Sequence, residues 1–147
     1  MLAMHPEWQD RVYNEITSVL STDDDDDDAT LSYEQINQLV YLEMVLNETM
    51  RVLPLICLVF RVVSNESEKL SNGIVLPVGQ IIALDIYRLH RSKAVHGPEA
   101  DRFNPENFSP ENVQQRHPYA FIPFTKGQRL CLGKKNEPII ADMLFLK

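Results

Sequence analysis

Apolar residues recur at helical spacing near the start of the chain. Trp8, Val12, Ile16 and Val19 fall on one face, which predicts an amphipathic helix over residues 6–20. Pro6 at the first helical position and Glu7 in the first turn are favourable at a helix N-terminus, and Ser21-Thr22 marks its expected end. Ser32 followed by Gln35 has the spacing of a capping box. It predicts a helical stretch through about Leu39, then a second helix from about Tyr41 whose inner stripe is Leu42, Val45, Leu46, Thr49 and Leu53. Pro54 ends it.

Beyond Pro54 the periodicity changes. Residues 56–63 are rich in apolar and β-branched side chains and read as a strand. Asn72-Gly73 and Pro77-Val78-Gly79 are turn signals, with short strands at 74–76 and 80–84. A small, mostly antiparallel sheet is the simplest arrangement. From 85 to 124 prolines at 98, 105, 110, 118 and 123 argue against helix or sheet of any length. The pattern therefore predicts a mainly α chain with a small antiparallel sheet (α+β): helices over 6–53, short strands over 55–84 and an irregular stretch thereafter.

Composition adds few constraints. The chain has 147 residues, 44% hydrophobic and 24% charged, enough for one modest domain. Its net charge of −7 is local, because the run 23–28 supplies six aspartates. Such a run repels itself and reads as a solvated loop. A calcium loop would alternate ligands with other residues and carry a turn glycine, and both are missing. An acidic pI and the lack of a basic stripe or aromatic platform exclude a nucleic-acid partner. No stretch is long enough to span a bilayer, and the short apolar start at 1–4 is not a signal peptide. Cys57 lies in the apolar run 53–63 and reads as a buried, inert thiol. Cys131 lies among glycines beside a basic residue. No disulfide is expected between the two, in keeping with a reducing compartment.

The sharpest chemistry lies in Phe124-Thr125-Lys126-Gly127-Gln128-Arg129-Leu130-Cys131-Leu132-Gly133. Gly127 and Gly133 allow backbone geometry and close approach to a flat ligand that a Cβ would forbid. A helix N-terminus at or just after Cys131 would favour an anionic sulfur. Arg129 adds positive charge, Leu130 and Leu132 keep water away, and Phe124 can cover the sulfur from one side. A cysteine of this kind serves as metal ligand or nucleophile. A nucleophile needs a base, and no triad-like motif accompanies His90 or His117. Zinc needs three or four ligands, which one cysteine and four scattered histidines do not supply at standard spacing. A structural cysteine in a turn is the plain alternative.

That segment resembles the cysteine loop of the cytochrome P-450 family, aromatic-x-x-Gly-x-Arg-x-Cys-x-Gly, at every defining position. Three further segments follow the family's order. Glu48-Thr49-Met50-Arg51 resembles its Glu-x-x-Arg helix, and the i,i+3 spacing lets the two charges pair. Phe103-Asn104-Pro105-Glu106-Asn107-Phe108 resembles Phe-x-Pro-Glu-Arg-Phe, with Asn107 where arginine is usual. Asparagine can hydrogen-bond but brings no charge and no bidentate fork. Tyr87-Arg88-Leu89-His90-Arg91 resembles a Leu-His-Arg turn of the microsomal animal members, where His90 reads as packed and hydrogen-bonded.

The resemblance implies the C-terminal part of the family's fold. It implies haem b as cofactor, with Cys131 as the axial iron ligand. Arg129 would pair with a haem propionate, Phe124 would lie on the proximal side, and Gly127 and Gly133 would line the loop. Arg61 matches a second propionate-binding position, with an edge-strand surface arginine as the alternative. Glu48, Arg51 and Asn107 would be structural, organising the approach to the cysteine. The implied activity is monooxygenation of a small apolar organic substrate, with electrons from NADPH through a flavoprotein reductase. The implied location is the endoplasmic reticulum membrane. The resemblance runs from residue 1 to 133 and lacks the family's upstream acid and threonine, distal wall and membrane anchor. A truncated or remnant haem-binding protein without catalysis of its own is therefore the alternative. After Gly133, Pro138 should interrupt the family's next helix; a new one is expected from Pro138, with Asn136 as cap, so that 131–147 reads as an altered terminal helix.

Overall fold

The computed structural model describes residues 1–20 and 32–133. The aspartate run and the terminal segment with Asn136 and Pro138 lie outside these residues. Helix α1 spans Pro6–Leu20, α2 Tyr33–Ile36 and α3 Val40–Val52. Four strands follow, β1 Leu58–Val62, β2 Glu68–Lys69, β3 Val75–Leu76 and β4 Ile81–Asp85. Then come α4 Ile86–His90, α5 Lys93–His96, a 3₁₀ turn Pro105–Phe108, α6 Pro110–Gln115 and a 3₁₀ turn Gly127–Arg129, with another 3₁₀ turn, Leu2–Met4, ahead of α1. The chain is mainly helical with small antiparallel ladders.

The apolar stripe of α1 meets that of α3. Trp8, Val12, Leu39, Leu42 and Val45 form the buried cluster, flanked by Ile16, Val19, Leu46 and Phe103. Burying each large aliphatic side chain is worth about 1.5–3 kcal/mol, so this seam fixes the two helices together. The capping box at α2 is reciprocal: Ser32 N–H donates to Gln35 Oε1 (2.7 Å) and Gln35 N–H to Ser32 Oγ (3.3 Å). The N-terminus of α3 lacks a local cap. Glu15 of α1 supplies one instead, its carboxylate accepting from Tyr41 N (2.8 Å) and Leu42 N (3.0 Å). The anion satisfies free amides and meets the positive end of the helix dipole. We expect Glu15→Ala to cost about 1 kcal/mol, read as a lower urea midpoint. Glu15→Gln should cost less, since its carbonyl oxygen keeps one of the bonds.

Strands β1 and β4 pair antiparallel in the register Leu58↔Asp85 to Val62↔Ile81. Strands β2 and β3 form a separate two-stranded ladder between them, Glu68↔Leu76 and Lys69↔Val75. The sheet is therefore two ladders rather than one, and β2 had no strand signal of its own. The turn back into β4 uses Gly79 at φ +84°, a conformation costly to residues with a Cβ.

Three expectations are corrected. Leu53 does not belong to the inner stripe of α3: the helix ends at Val52, Leu53 leaves helical geometry (φ −127°, ψ 70°), and it is 58% exposed. Cys57 is exposed rather than buried, because none of the described residues forms a layer over its stretch. Leu55, Ile56, Leu58, Phe60 and Val62 around it are exposed as well. Finally, the stretch from 85 to 124 holds three short helices and a 3₁₀ turn. Its prolines 105 and 110 sit in first turns, where no amide partner is needed, and Asp85, Asn104 and Ser109 cap those turns with side-chain oxygens.

Candidate functional site

The sequence-derived residues fall into two groups. The first is a buried cluster at the C-terminal end of α3. Glu48 and Arg51 project from one face, both 0% exposed. Their pairing is bidentate, with Arg51 Nε on Glu48 Oε2 and Nη2 on Oε1, both at 2.7 Å. The guanidinium also donates from Nη1 to the carbonyls of His90 (2.8 Å) and Ala100 (2.5 Å), and from Nη2 to Arg102 O (2.9 Å). All five donors of the arginine are used, which only a guanidinium could do. Glu48 Oε1 further accepts from Asn104 N (2.8 Å) and Asn107 Nδ2 (3.1 Å). Two charges that would be costly to bury singly are fully hydrogen-bonded together. Their partners come from α4 and from 100–107, so the pair gathers the irregular stretch onto α3.

Arg116, unmarked in the sequence, completes this region. Its Nη2 donates to the Asn107 carbonyl and its guanidinium lies over the Phe108 ring, 4.7 Å from the centroid. Burial lowers its pKa from the ordinary arginine value, and the Glu48 carboxylate opposes that shift. Arg116 lies in a polar stretch with no motif, so nothing local would have singled it out.

The second group is the loop 124–133. Cys131 N–H donates back to Phe124 O (3.0 Å), closing it. Thr125, at φ 62°, and Gly127, at φ 84°, turn the chain inside it. The Thr125 hydroxyl donates to Arg129 O (2.9 Å), and Lys126 Nζ donates to Pro118 O (2.8 Å). A β-carbon at Gly127 would meet no neighbouring atom within 4 Å, so the backbone angle, not space, is the reason for glycine there. Phe124, Gly127, Arg129 and Cys131 thus share one closed loop, and Gly133 follows two residues beyond the closing bond. Arg61 stands on β1, donating to the carbonyl of Phe60 (2.9 Å), and no hydrogen bond or ion pair joins it to either group among the described residues.

The Cys131 thiol is exposed, Leu132 beside it is 96% exposed, and Leu130 and Arg129 are exposed too. A Cβ on Gly133 would lie 3.6 Å from Cys131 Sγ, so the bare glycine keeps one side of the sulfur open. Arg129 forms no ion pair among the described residues. An open sulfur, apolar flanks and an unpaired cation fit a flat apolar ligand with an acidic edge, such as haem with its propionates. The family model for cytochrome P450 matches residues 1–135. The chain belongs to the cytochrome P450 family. Relatives in Drosophila melanogaster include probable cytochrome P450 313a4, 48% identical over the whole chain and 29% of that protein. Probable cytochrome P450 313a1 is 43% identical over 92% of the chain and 27% of its own length. Cytochrome P450 4p1 is 40% identical over 91% and 25%. The chain thus spans between a quarter and a third of the P450 relatives it matches. No described helix is long and apolar enough to cross a membrane.

Two histidines that carried no ligand signal lie between the two groups. His90, 0% exposed, accepts at Nε2 from Ile122 N (3.0 Å). His96 meets Ala120 O through Nε2 at 3.1 Å. Burial lowers both pKa values from 6.5 to about 4, helped at His90 by His96 and at His96 by Arg116. Their sequence context gave packing for His90 and nothing for His96.

Proposed function

We propose that this chain carries the thiolate-ligating side of a haem-dependent monooxygenase, with Cys131 as the axial iron ligand. The observation that carries the proposal is the loop closed by the Cys131–Phe124 bond, which presents an exposed cysteine near a bare glycine and an arginine with no ion pair among the described residues, in a member of the P450 family. When bound, haem b supplies reductive activation of dioxygen, one atom entering substrate and the other leaving as water.

The chain's own residues act by holding and shielding. Cys131 would supply the sulfur ligand, and a thiolate there would push electron density toward the iron. Arg129 would neutralise one propionate, and Arg61 is assigned the second. Phe124 flanks the proximal side and, through its carbonyl, fixes the Cys131 amide. Gly127 sets the turn, and Gly133 leaves room for the macrocycle. Glu48, Arg51 and Asn107 are structural. Electrons are assigned to NADPH through a flavoprotein reductase, the substrate class to small apolar organic molecules, and the location to the endoplasmic reticulum membrane.

The test is a carbon monoxide difference spectrum of the chain reduced and reconstituted with haem, beside Cys131→Ala. The expected result is a red-shifted Soret band that the variant lacks. A band that survives the substitution would remove Cys131 as the ligand.

A further inference from the structure

Among the described residues no hydrogen bond or ion pair joins the buried pair directly to the cysteine loop, yet a continuous set of bonds links them. Arg51 Nη1 donates to the carbonyl of His90 (2.8 Å). The imidazole of the same residue accepts from Ile122 N–H (3.0 Å). Phe121, one residue earlier, packs its ring 5.0 Å from His90 and 4.7 Å edge-on to Phe108. Ala120, one further back, is buried and meets His96. Two residues beyond Ile122 comes Phe124, whose carbonyl fixes the Cys131 amide.

We propose that His90 and His96 are positioning residues that clamp 120–122, and so set the cysteine loop, as neutral imidazoles of opposite tautomer. The chemistry follows from the partners. Ile122 offers an N–H, so His90 Nε2 must present its lone pair and the proton sits on Nδ1. Ala120 offers a carbonyl, so His96 must carry its proton on Nε2. Both Nδ1 atoms are buried and neither makes a hydrogen bond in good geometry among the described residues, so the partners at Nε2 decide the tautomers; at His90 the nearby Met50 carbonyl further favours a ring proton. A protonated His90 would lose the lone pair that Ile122 requires. The depressed pKa values of both rings agree with neutral occupancy at neutral pH. His90 therefore relays the arginine's anchorage to the segment that delivers Phe124.

The positioning role rests on the haem-thiolate reading, but the clamp itself can be read without haem. In the ¹⁵N-labelled chain at pH 7.5, long-range ¹H–¹⁵N spectra should show His90 protonated at Nδ1 only and His96 at Nε2 only. The same tautomer at both, or averaged shifts at His90, would overturn the proposal. Two variants separate acceptor from bulk. His90→Gln can place an amide oxygen near the Nε2 position, whereas His90→Leu fills space without an acceptor. Hydrogen exchange at the Ile122 amide should speed up at least about fivefold in His90→Leu and stay near wild type in His90→Gln. The carbon monoxide band of the reconstituted chain should fall in the first and persist in the second. Unchanged exchange and band in His90→Leu would overturn the clamp. Intact tautomers and Ile122 protection without any band in the wild type would leave the clamp standing and remove only the haem reading.

Discussion

Arg51→Ala should leave little folded chain. The substitution strands the Glu48 carboxylate at 0% exposure with two neutral donors, Asn104 N–H and Asn107 Nδ2. It also removes the donor that the carbonyls of His90, Ala100 and Arg102 share. Breaking a buried pair from one side typically costs about 3–5 kcal/mol, a large part of the stability of a small domain. Urea unfolding followed by far-UV circular dichroism should show a large loss or no cooperative transition. Arg51→Lys discriminates charge from geometry. Lysine keeps the cation but has three donors in place of five, so acceptors go unmet at about 1–3 kcal/mol each. A double change of Glu48 and Arg51 to methionine should not restore the wild-type midpoint either, because the three carbonyls still lack a partner. An unfolding free energy for Arg51→Ala within about 1 kcal/mol of wild type would mean that the cluster gathers the irregular stretch for some other reason.

That cluster also shows how far sequence alone could go. The i,i+3 spacing gave Glu48 and Arg51 one helical face, and the motif order placed Asn107 near them. The bonds that occupy the guanidinium go largely to backbone carbonyls, which look alike at every position, so no pattern could name His90, Ala100 and Arg102. The cysteine loop was easier, because its members are contiguous and its closing bond spans only 124–131. Amphipathic spacing found α1 and α3, and the capping box found the start of α2. Hydrophobicity alone misled at Leu53 and Cys57, since it measures what a side chain would gain from cover and not whether cover is there. Glu15 as the cap of α3 and Arg116 beside Asn107 depend on tertiary approach, and their own neighbours in sequence carry no trace of it. The short helices after 85 were missed for a different reason. Proline reads as a breaker in a sequence pattern, although at the first turn it begins a helix as readily as it ends one.

Acidification should destabilise the folded chain well above the range in which carboxylates titrate. His90 and His96 have folded pKa values of about 4 against 6.5 for the free side chain. Between those values the unfolded chain binds more protons, so stability rises with pH. The contribution is complete above about pH 6.5 and is lost as pH falls toward 4. Each proton is worth at most about 1.4 kcal/mol per pH unit, and His96, being partly exposed, should contribute less than His90. The surroundings favour this sign. His90 faces His96 from α5 and Arg51 from α3, with the carbonyl of Met50 opposing. His96 faces Arg116 and Arg51, with the carbonyl of Ala120 opposing. Neither shift has a nearby carboxylate among its causes. Urea midpoints should therefore fall between pH 7.5 and 5.0, where ordinary aspartates and glutamates, with values of about 3.9 and 4.3, remain mostly ionised. His96→Asn should flatten part of that slope. Exchange at the Ile122 amide should quicken over the same interval, because a proton on His90 Nε2 occupies the lone pair that Ile122 needs. A midpoint that stays level from pH 7.5 to 5.0 would show that the two imidazoles take up protons as readily in the folded chain as in the unfolded one.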